Sequence, residues 1–204
     1  MPRLLVATNN RGKAAEFRTL LGGCGWEIVT PADIGLDLDV EESGPDYATN
    51  AKIKAEAFAV AGGLLTLADD SGIEIDALGG LPGVLSARYA GPDGTDADRV
   101  ARVLAEMRDV PPEKRQARFV CVIALAGPDG RVRFAEGECE GIVAEVPRGN
   151  DGFGYDPIFY LPEKGRTMAE LPPEEKNVVS HRGRAARKAC ALLREMLDES
   201  ENGA

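Results

Sequence analysis

The run "RFVCVIALA" at residues 118–126, followed by Gly127-Pro128-Asp129-Gly130 and then "RVRFAEG", constrains this chain more than any other feature. A turn that short cannot carry the chain back to begin a parallel neighbour, so the apolar runs on either side of it must pair antiparallel, continuing through "CEGIVAEV". The chain opens in the opposite way. "RLLVAT" (3–8) has the length and content of a buried strand, and Lys13 to Leu21 carries Phe17, Leu20 and Leu21 at helical spacing. Gly22 and Gly23 stop that helix, and "WEIVT" resumes as strand. A β-α-β start requires parallel pairing. The fold class that accommodates both connections is mixed α/β.

The remaining elements fit that frame. Tyr47 to Ala61 places Tyr47, Ala51, Ala55, Phe58 and Ala59 on one helical face before the stop at Gly62-Gly63. "LLTLADDSG" (64–72) is a strand that delivers two carboxylates, "LGGLPGV" (78–84) is a run of turn formers, and residues 96–108 are helical. After the Gly-rich "GNDGFGYDPIF" comes a loop rich in Pro and Glu, then a last helix from about His181 to Leu197 and a frayed tail over 198–204. No linker divides residues 1–197, which read as one domain.

Charge and cysteine content remove several function classes. The net charge of −10 excludes a basic stripe of the kind that tracks a nucleic-acid polymer, while leaving room for a small anion held by a local cation cluster or a divalent metal. No apolar stretch approaches the roughly 18 residues of a membrane span, and no basic start with a long apolar run marks a secretory leader, so a cytoplasmic protein is expected. Cys24, Cys121, Cys139 and Cys190 form no C-x-x-C pair and the chain has a single histidine. Buried free thiols are expected rather than a disulfide or a zinc site.

Four segments carry chemistry. A strand that ends in Thr8-Asn9-Asn10-Arg11-Gly12-Lys13 and feeds a helix gathers backbone N–H groups, the positive end of the helix dipole and two cations at one place, which suits phosphate. It is not a Walker A loop, since Ala7 and Ala14 stand where Gly and Ser or Thr are required. An ordinary βα turn capped by asparagine fits the same residues. Asp69 and Asp70 are adjacent, so if the strand persists that far their side chains point to opposite faces; an ordinary turn with Asx and Ser caps fits the same residues. One is read as chemical and the other as structural. Glu41 and Glu42 form a second acidic pair ahead of the long helix, which by itself reads as a solvated approach to that helix; one carboxylate from each pair would also satisfy Mg²⁺, which prefers oxygen ligands completed by substrate phosphate and water. Phe153, between Gly152 and Gly154, can stack on a planar base or pack inward. Lys176, His181, Arg182 and Arg184 cluster at a helix start with Ser180 as a possible cap, against the dipole preference of cations, which fits either an acceptor-bearing ligand or a solvated surface.

Taken together, "ATNNRGKAAEF", "EESGPDYATNAKIKA", "ADDSGIEIDALGGLPGVLSARYAG", "GFGYDPIF" and "LPPEEKNVVSHRGRA" resemble, in order and over nearly the whole chain, the inosine triphosphate pyrophosphatase family, the HAM1-like or dITP/XTP pyrophosphatases. The resemblance implies a homodimeric enzyme that hydrolyses non-standard purine nucleoside triphosphates to the monophosphate and pyrophosphate with Mg²⁺. It also implies a long curved mixed sheet with helices in two lobes and the site in a central cleft. Carried over by position, Thr8, Asn9, Asn10, Arg11, Gly12, Lys13 and Lys54 would hold the triphosphate. Asp70 would be the proton acceptor and a metal ligand, and Ser71 would touch substrate. Glu42 would be the second metal carboxylate, with Glu41 the alternative. Phe153, Gly154, Tyr155, Asp156, Lys176, His181 and Arg182 would form the base pocket. The loop departs from the family's usual S/T-G-N in having Asn9, which reaches left-handed conformations more readily than most residues but less freely than Gly. A Maf-like nucleotide pyrophosphatase, a regulator that binds a triphosphate without cutting it, and a structural module are the competing readings.

Overall fold

The computed structural model describes residues 1–202, with side chains through 199. Seven strands form one sheet in the order β2-β1-β3-β4-β5-β6-β7, where β1 is Arg3–Val6, β2 Glu27–Val29, β3 Leu65–Ile75, β4 Gln116–Ala126, β5 Val132–Val143, β6 Phe159–Leu161 and β7 Arg166–Thr167. β1 pairs parallel with both β2 and β3, whereas β5–β6 and β6–β7 pair antiparallel, so the sheet is mixed as its connections require. The helices are α1 Arg11–Leu20, α2 Tyr47–Gly62, α3 Asp96–Glu106, α4 Pro173–Val179 and α5 His181–Asn202.

The chain divides into two compact units, one of residues 1–70, 121–137 and 183 onward, the other of residues 71–120 and 138–182. In the first unit the period of two along each strand sorts the core into two clusters. Leu4, Val6, Leu67, Cys121, Ile123 and Leu125 pack with Phe17 and Leu21 of α1 and with Ala185, Ala186, Ala189 and Leu193 of α5. Leu5, Ala7, Ala68, Ala124 and Ala126, the alternate residues of the same strands, pack with Ala51, Ala55, Phe58 and Ala59 of α2. The small residues on the α2 side let that helix approach the sheet closely. α2 is bounded by its own residues: Asp46 accepts the Thr49 N–H at 2.7 Å, and Gly63, at φ 62°, ends it.

In the second unit Ile73, Ile75, Phe119, Cys139 and Val143 from the strands enclose a core with Val100, Val103 and Met107 of α3 and with Tyr155, Ile158 and Met168. Arg115, 5% exposed, closes the end of α3 by donating to the carbonyl oxygens of Met107 (2.8 Å), Val110 (3.1 Å), Val143 (2.8 Å) and Ala144 (3.2 Å).

Several expectations need correction. β3 does not end at the acidic pair but runs five residues past Asp70 to Ile75, because Ile73 and Ile75 are fully buried and hold the chain in the sheet. The loop rich in Pro and Glu contains α4, begun by Pro173 at a first-turn position where its missing N–H costs nothing. The last helix continues to Asn202; of the expected tail, residues 203–204 lie outside the described residues. Cys24 and Cys190 are joined in a disulfide, with Cα atoms 5.4 Å apart. Their separation of 166 residues gave no local signal, and the pairing arises because Trp26 donates to Leu193 O (3.1 Å) and docks the segment after α1 on α5. Cys121 and Cys139 are free and buried, as expected. A crosslink closing so long a loop stabilises by about 2–5 kcal/mol. The double substitution Cys24→Ala/Cys190→Ala is therefore expected to lower Tm in thermal denaturation and to abolish the response of Tm to added dithiothreitol. An unchanged Tm would contradict the staple.

Candidate active site

Each unit gathers some of the residues singled out in the sequence. In the first, Ala7 N–H bonds Leu67 O at 2.8 Å, carrying the β1–β3 pairing up to the loop of residues 8–10. That loop is ordered by its own side chains: Asn10 N–H donates to Thr8 Oγ1 (3.2 Å), and Asn10 Oδ1 caps α1 by accepting the Lys13 N–H (3.0 Å). Asn9 and Arg11 are exposed. Asn9 does not use a left-handed conformation, since every positive φ among the described residues belongs to glycine. The start of α1 therefore presents backbone donors capped on one side by asparagine, the arrangement that receives anions at helix N-termini.

Beside it lie five ionisable side chains. Because β3 persists through the acidic pair, Asp69 follows Leu67 to the α1 side and Asp70 follows Ala68 to the α2 side. Lys13 Nζ stands 2.9 Å from Asp69 Oδ2, whose side chain is 1% exposed. Asn50 of α2 donates to Asp70 Oδ2 at 3.0 Å, and its own Oδ1 accepts the Gly44 N–H at 2.7 Å. Lys54, one turn further along the same helix face, pairs with Glu42. Gly44 is required there, since a Cβ would come within 2.7 Å of Asn50 Oδ1. Glu42 is half-buried and Glu41 exposed, which favours Glu42 as the carboxylate of its pair that belongs to this cluster.

The electrostatics follow from burial. Asp70 is held above the usual carboxylate range, chiefly by burial, with the Asn50 hydrogen bond opposing and the Glu42 charge adding to the rise; Lys13 and Lys54 pull it back. For Lys54, burial opposes the charged form, but the carboxylates of Asp69, Glu42 and Asp70 together keep it above its ordinary value. Among the described residues no three His, Cys, Asp or Glu side chains are gathered to enclose a metal. The pair of Glu42 and Asp70 still fits a hard divalent cation, since both are oxygen donors and their mutual repulsion is what such an ion would relieve.

In the second unit, Asp156 (3% exposed) organises the segment around Phe153. Its Oδ2 accepts from Phe153 N–H (2.9 Å) and from Lys176 Nζ (2.7 Å), an ion pair in which both side chains are nearly enclosed. Gly152, at φ 80°, cannot be replaced without collision, because a Cβ would lie 2.1 Å from Asp156 Oδ2. Gly154 N–H donates to Asp96 Oδ2 at 2.7 Å, tying the loop to the first turn of α3. Lys176 Nζ sits 4.8 Å and Arg182 Cζ 5.4 Å from the Phe153 ring centroid, so the ring is already a cation–π surface. Arg182 also donates to Ser71 Oγ at 3.0 Å. His181 stacks on Phe119, with centroids 4.6 Å apart and planes at 18°. Tyr155 is 5% exposed within the core and donates to Ser86 O at 2.8 Å, and burial pushes its phenol well above the ordinary range. Arg184 is exposed.

Sequence reasoning missed Asn50 and Asp96. Asn50 had a visible signal: a lone amide in an alanine-rich helix, four residues before Lys54. Asp96, 58 residues from Gly154 in the chain, had none.

The chain matches the model of the Ham1 family over residues 4–192. It is 48% identical to the dITP/XTP pyrophosphatase of Desulforamulus reducens, with 98% of this chain and 99% of the relative covered. Against the dITP/XTP pyrophosphatase of Bacillus subtilis it is 46% identical, covering 95% and 98%. Among solved structures, a HAM1 protein from Coxiella burnetii superposes with a TM-score of 0.87 at 43% identity, covering 96% of this chain and all of that one.

Proposed function

From the premise that this chain belongs to the Ham1 family, we propose that it hydrolyses non-standard purine nucleoside triphosphates, ITP, dITP and XTP, to the nucleoside monophosphate and pyrophosphate. The observation that carries the reading is the cluster of Lys13, Lys54, Asp69, Asp70, Glu42 and Asn50 beside the start of α1. A protein that only binds anions has no use for three carboxylates among its phosphate ligands. A hydrolase that must hold a cation and accept a proton does.

The roles follow from the chemistry of each group. Thr8, Asn9, Asn10, Arg11, Gly12, Lys13 and Lys54 take the triphosphate by N–H and cationic contacts. Glu42 and Asp70 would hold a Mg²⁺ ion, which when bound supplies charge neutralisation at the phosphate oxygens. Asp70 accepts the proton of the water that attacks the α-phosphorus, and its raised proton affinity suits that task. Positioning and electrostatics carry the rest, as in other phosphoryl transfers. In the second unit, Phe153 supplies a stacking surface for the base, supported by Gly154, Tyr155 and Asp156, while Ser71 contacts substrate. Lys176, His181 and Arg182 supply donors. Hypoxanthine and xanthine carry a carbonyl acceptor at C6 where adenine carries an amino donor, so a site lined with donors leaves ATP with unmatched buried groups. The reading includes a homodimer in the cytoplasm; among the described residues no helix is long and apolar enough to cross a membrane.

Two measurements test this. Incubation with ITP, XTP, GTP, ATP and TTP plus Mg²⁺, assaying pyrophosphate separately from orthophosphate, is expected to show pyrophosphate from ITP and XTP. No product would leave a binder, and a preference for TTP would favour a Maf-like pyrophosphatase. Arg182→Ala should narrow the gap between XTP and ATP in kcat/KM by about tenfold, the worth of one specific donor; an unchanged ratio removes Arg182 from base selection.

A further inference from the structure

We propose that Asp69 is a positioning residue for Lys13, which it fixes by direct ion pairing, leaving Asp70 alone to act on water. The inference rests on the reading that Lys13 meets the polyphosphate. Asp69 is placed for this by the register of β3. Its side chain is 1% exposed, on the face that carries α1, with Lys13 Nζ 2.9 Å away and the Cys121 thiol 4.0 Å away as a weak donor. Lys13 sits in the first turn of α1, where a cation is disfavoured by the dipole and by the other cations nearby. Left to itself, that side chain would extend into water. The buried carboxylate holds the ammonium against the strand by its charge, which keeps the side chain in place to meet phosphate oxygens. Asp69 and Asp70 are therefore neighbours with separate duties, one beneath Lys13 on the α1 side and one beside Asn50 on the α2 side.

A double-mutant cycle between Asp69 and Lys13 tests this with XTP as substrate. Asp69→Asn is expected to lower kcat/KM by about 10²-fold, the cost of misplacing a positioned group by an ångström. Lys13→Ala lowers it similarly, and the double variant should fall no further than Lys13→Ala alone, to within about threefold, because Asp69 has then lost the group it positions. Losses that multiply, or Asp69→Asn at wild-type rate, overturn the inference. The Lys13 side chain keeps 18% exposure and can swing to water, so the Asn variant should fold. If it does not, Asp69→Glu, which keeps the charge but moves it by one methylene, should give an intermediate loss that Lys13→Ala again masks. An activity-independent readout is the rate at which acetic anhydride acetylates Lys13, with Lys52 as internal reference. Asp69→Asn, or Asp69→Glu in its place, should raise the Lys13 rate several-fold and leave Lys52 unchanged; equal rates overturn the pairing. If the wild-type protein released no pyrophosphate from any triphosphate, the function would fail while the acetylation arm still decided the role of Asp69.

Discussion

Asp70→Asn is expected to lower turnover of XTP by about 10²–10⁴-fold, the range attached to a positioned general base, while nucleotide binding changes little. The amide keeps the size of the carboxylate and can still meet Asn50, but it cannot take a proton from water. The same substitution should make the metal-free protein more stable at neutral pH. Burial, reinforced by the charge of Glu42, raises the proton affinity of Asp70 in the folded chain above its value of 3.8 when unfolded. The ionised form is thus penalised on folding. That penalty is absent below the unfolded value, grows as pH rises through the window up to the raised folded value, and is complete above it. Asn never pays it. Thermal denaturation in EDTA should therefore show Asp70→Asn above wild type at pH 7, with the gap closing as pH falls toward 4. A variant less stable than wild type at pH 7 would mean that the lysines and Asn50 outweigh burial. Near wild-type turnover would remove Asp70 from the chemistry.

Asp156→Ala is expected to be the most damaging change in the second unit. Lys176 and Asp156 are an ion pair with side chains 6% and 4% exposed, and removing one member of such a pair costs about 3–5 kcal/mol because the other charge stays buried. The same oxygen also accepts from Phe153 N–H, so the loop that presents the ring loses its internal tie. A fall in Tm of about 10 °C is expected for a chain of this size, together with a rise in KM for XTP. Asp156→Asn, which keeps an acceptor, should fall between the two. If Asp156→Ala kept both Tm and KM, the pair would be neither structural nor part of base recognition.

The path from residues to site was legible wherever the signal was periodic or local. Alternation along "LTLADD" is enough to send Asp69 and Asp70 to opposite faces, and the structure gives them different partners on α1 and α2. The short turn after Ala126 and the β-α-β opening are enough to require a mixed sheet. What the sequence could not express were pairings that depend on how distant segments dock. Lys13 pairs with Asp69 because β1 and β3 are parallel neighbours, and nothing near either residue says which carboxylate it will meet. The Cys24–Cys190 bond depends on α5 lying against the segment after α1. Asp96 holds Gly154 across 58 residues. The strand read over 64–72 runs on to Ile75, because Ile73 and Ile75 are buried and hold it in the sheet.

The reaction turns on which phosphorus the water attacks. Hydrolysis of XTP in water enriched in oxygen-18, followed by mass spectrometry of both products, reads this without any variant. Attack at the α-phosphorus places one heavy oxygen in xanthosine monophosphate and leaves pyrophosphate unlabelled, which is the predicted result. Label in pyrophosphate, with the monophosphate light, would mean attack at the β-phosphorus and would contradict the assignment of Asp70 and its neighbouring lysines.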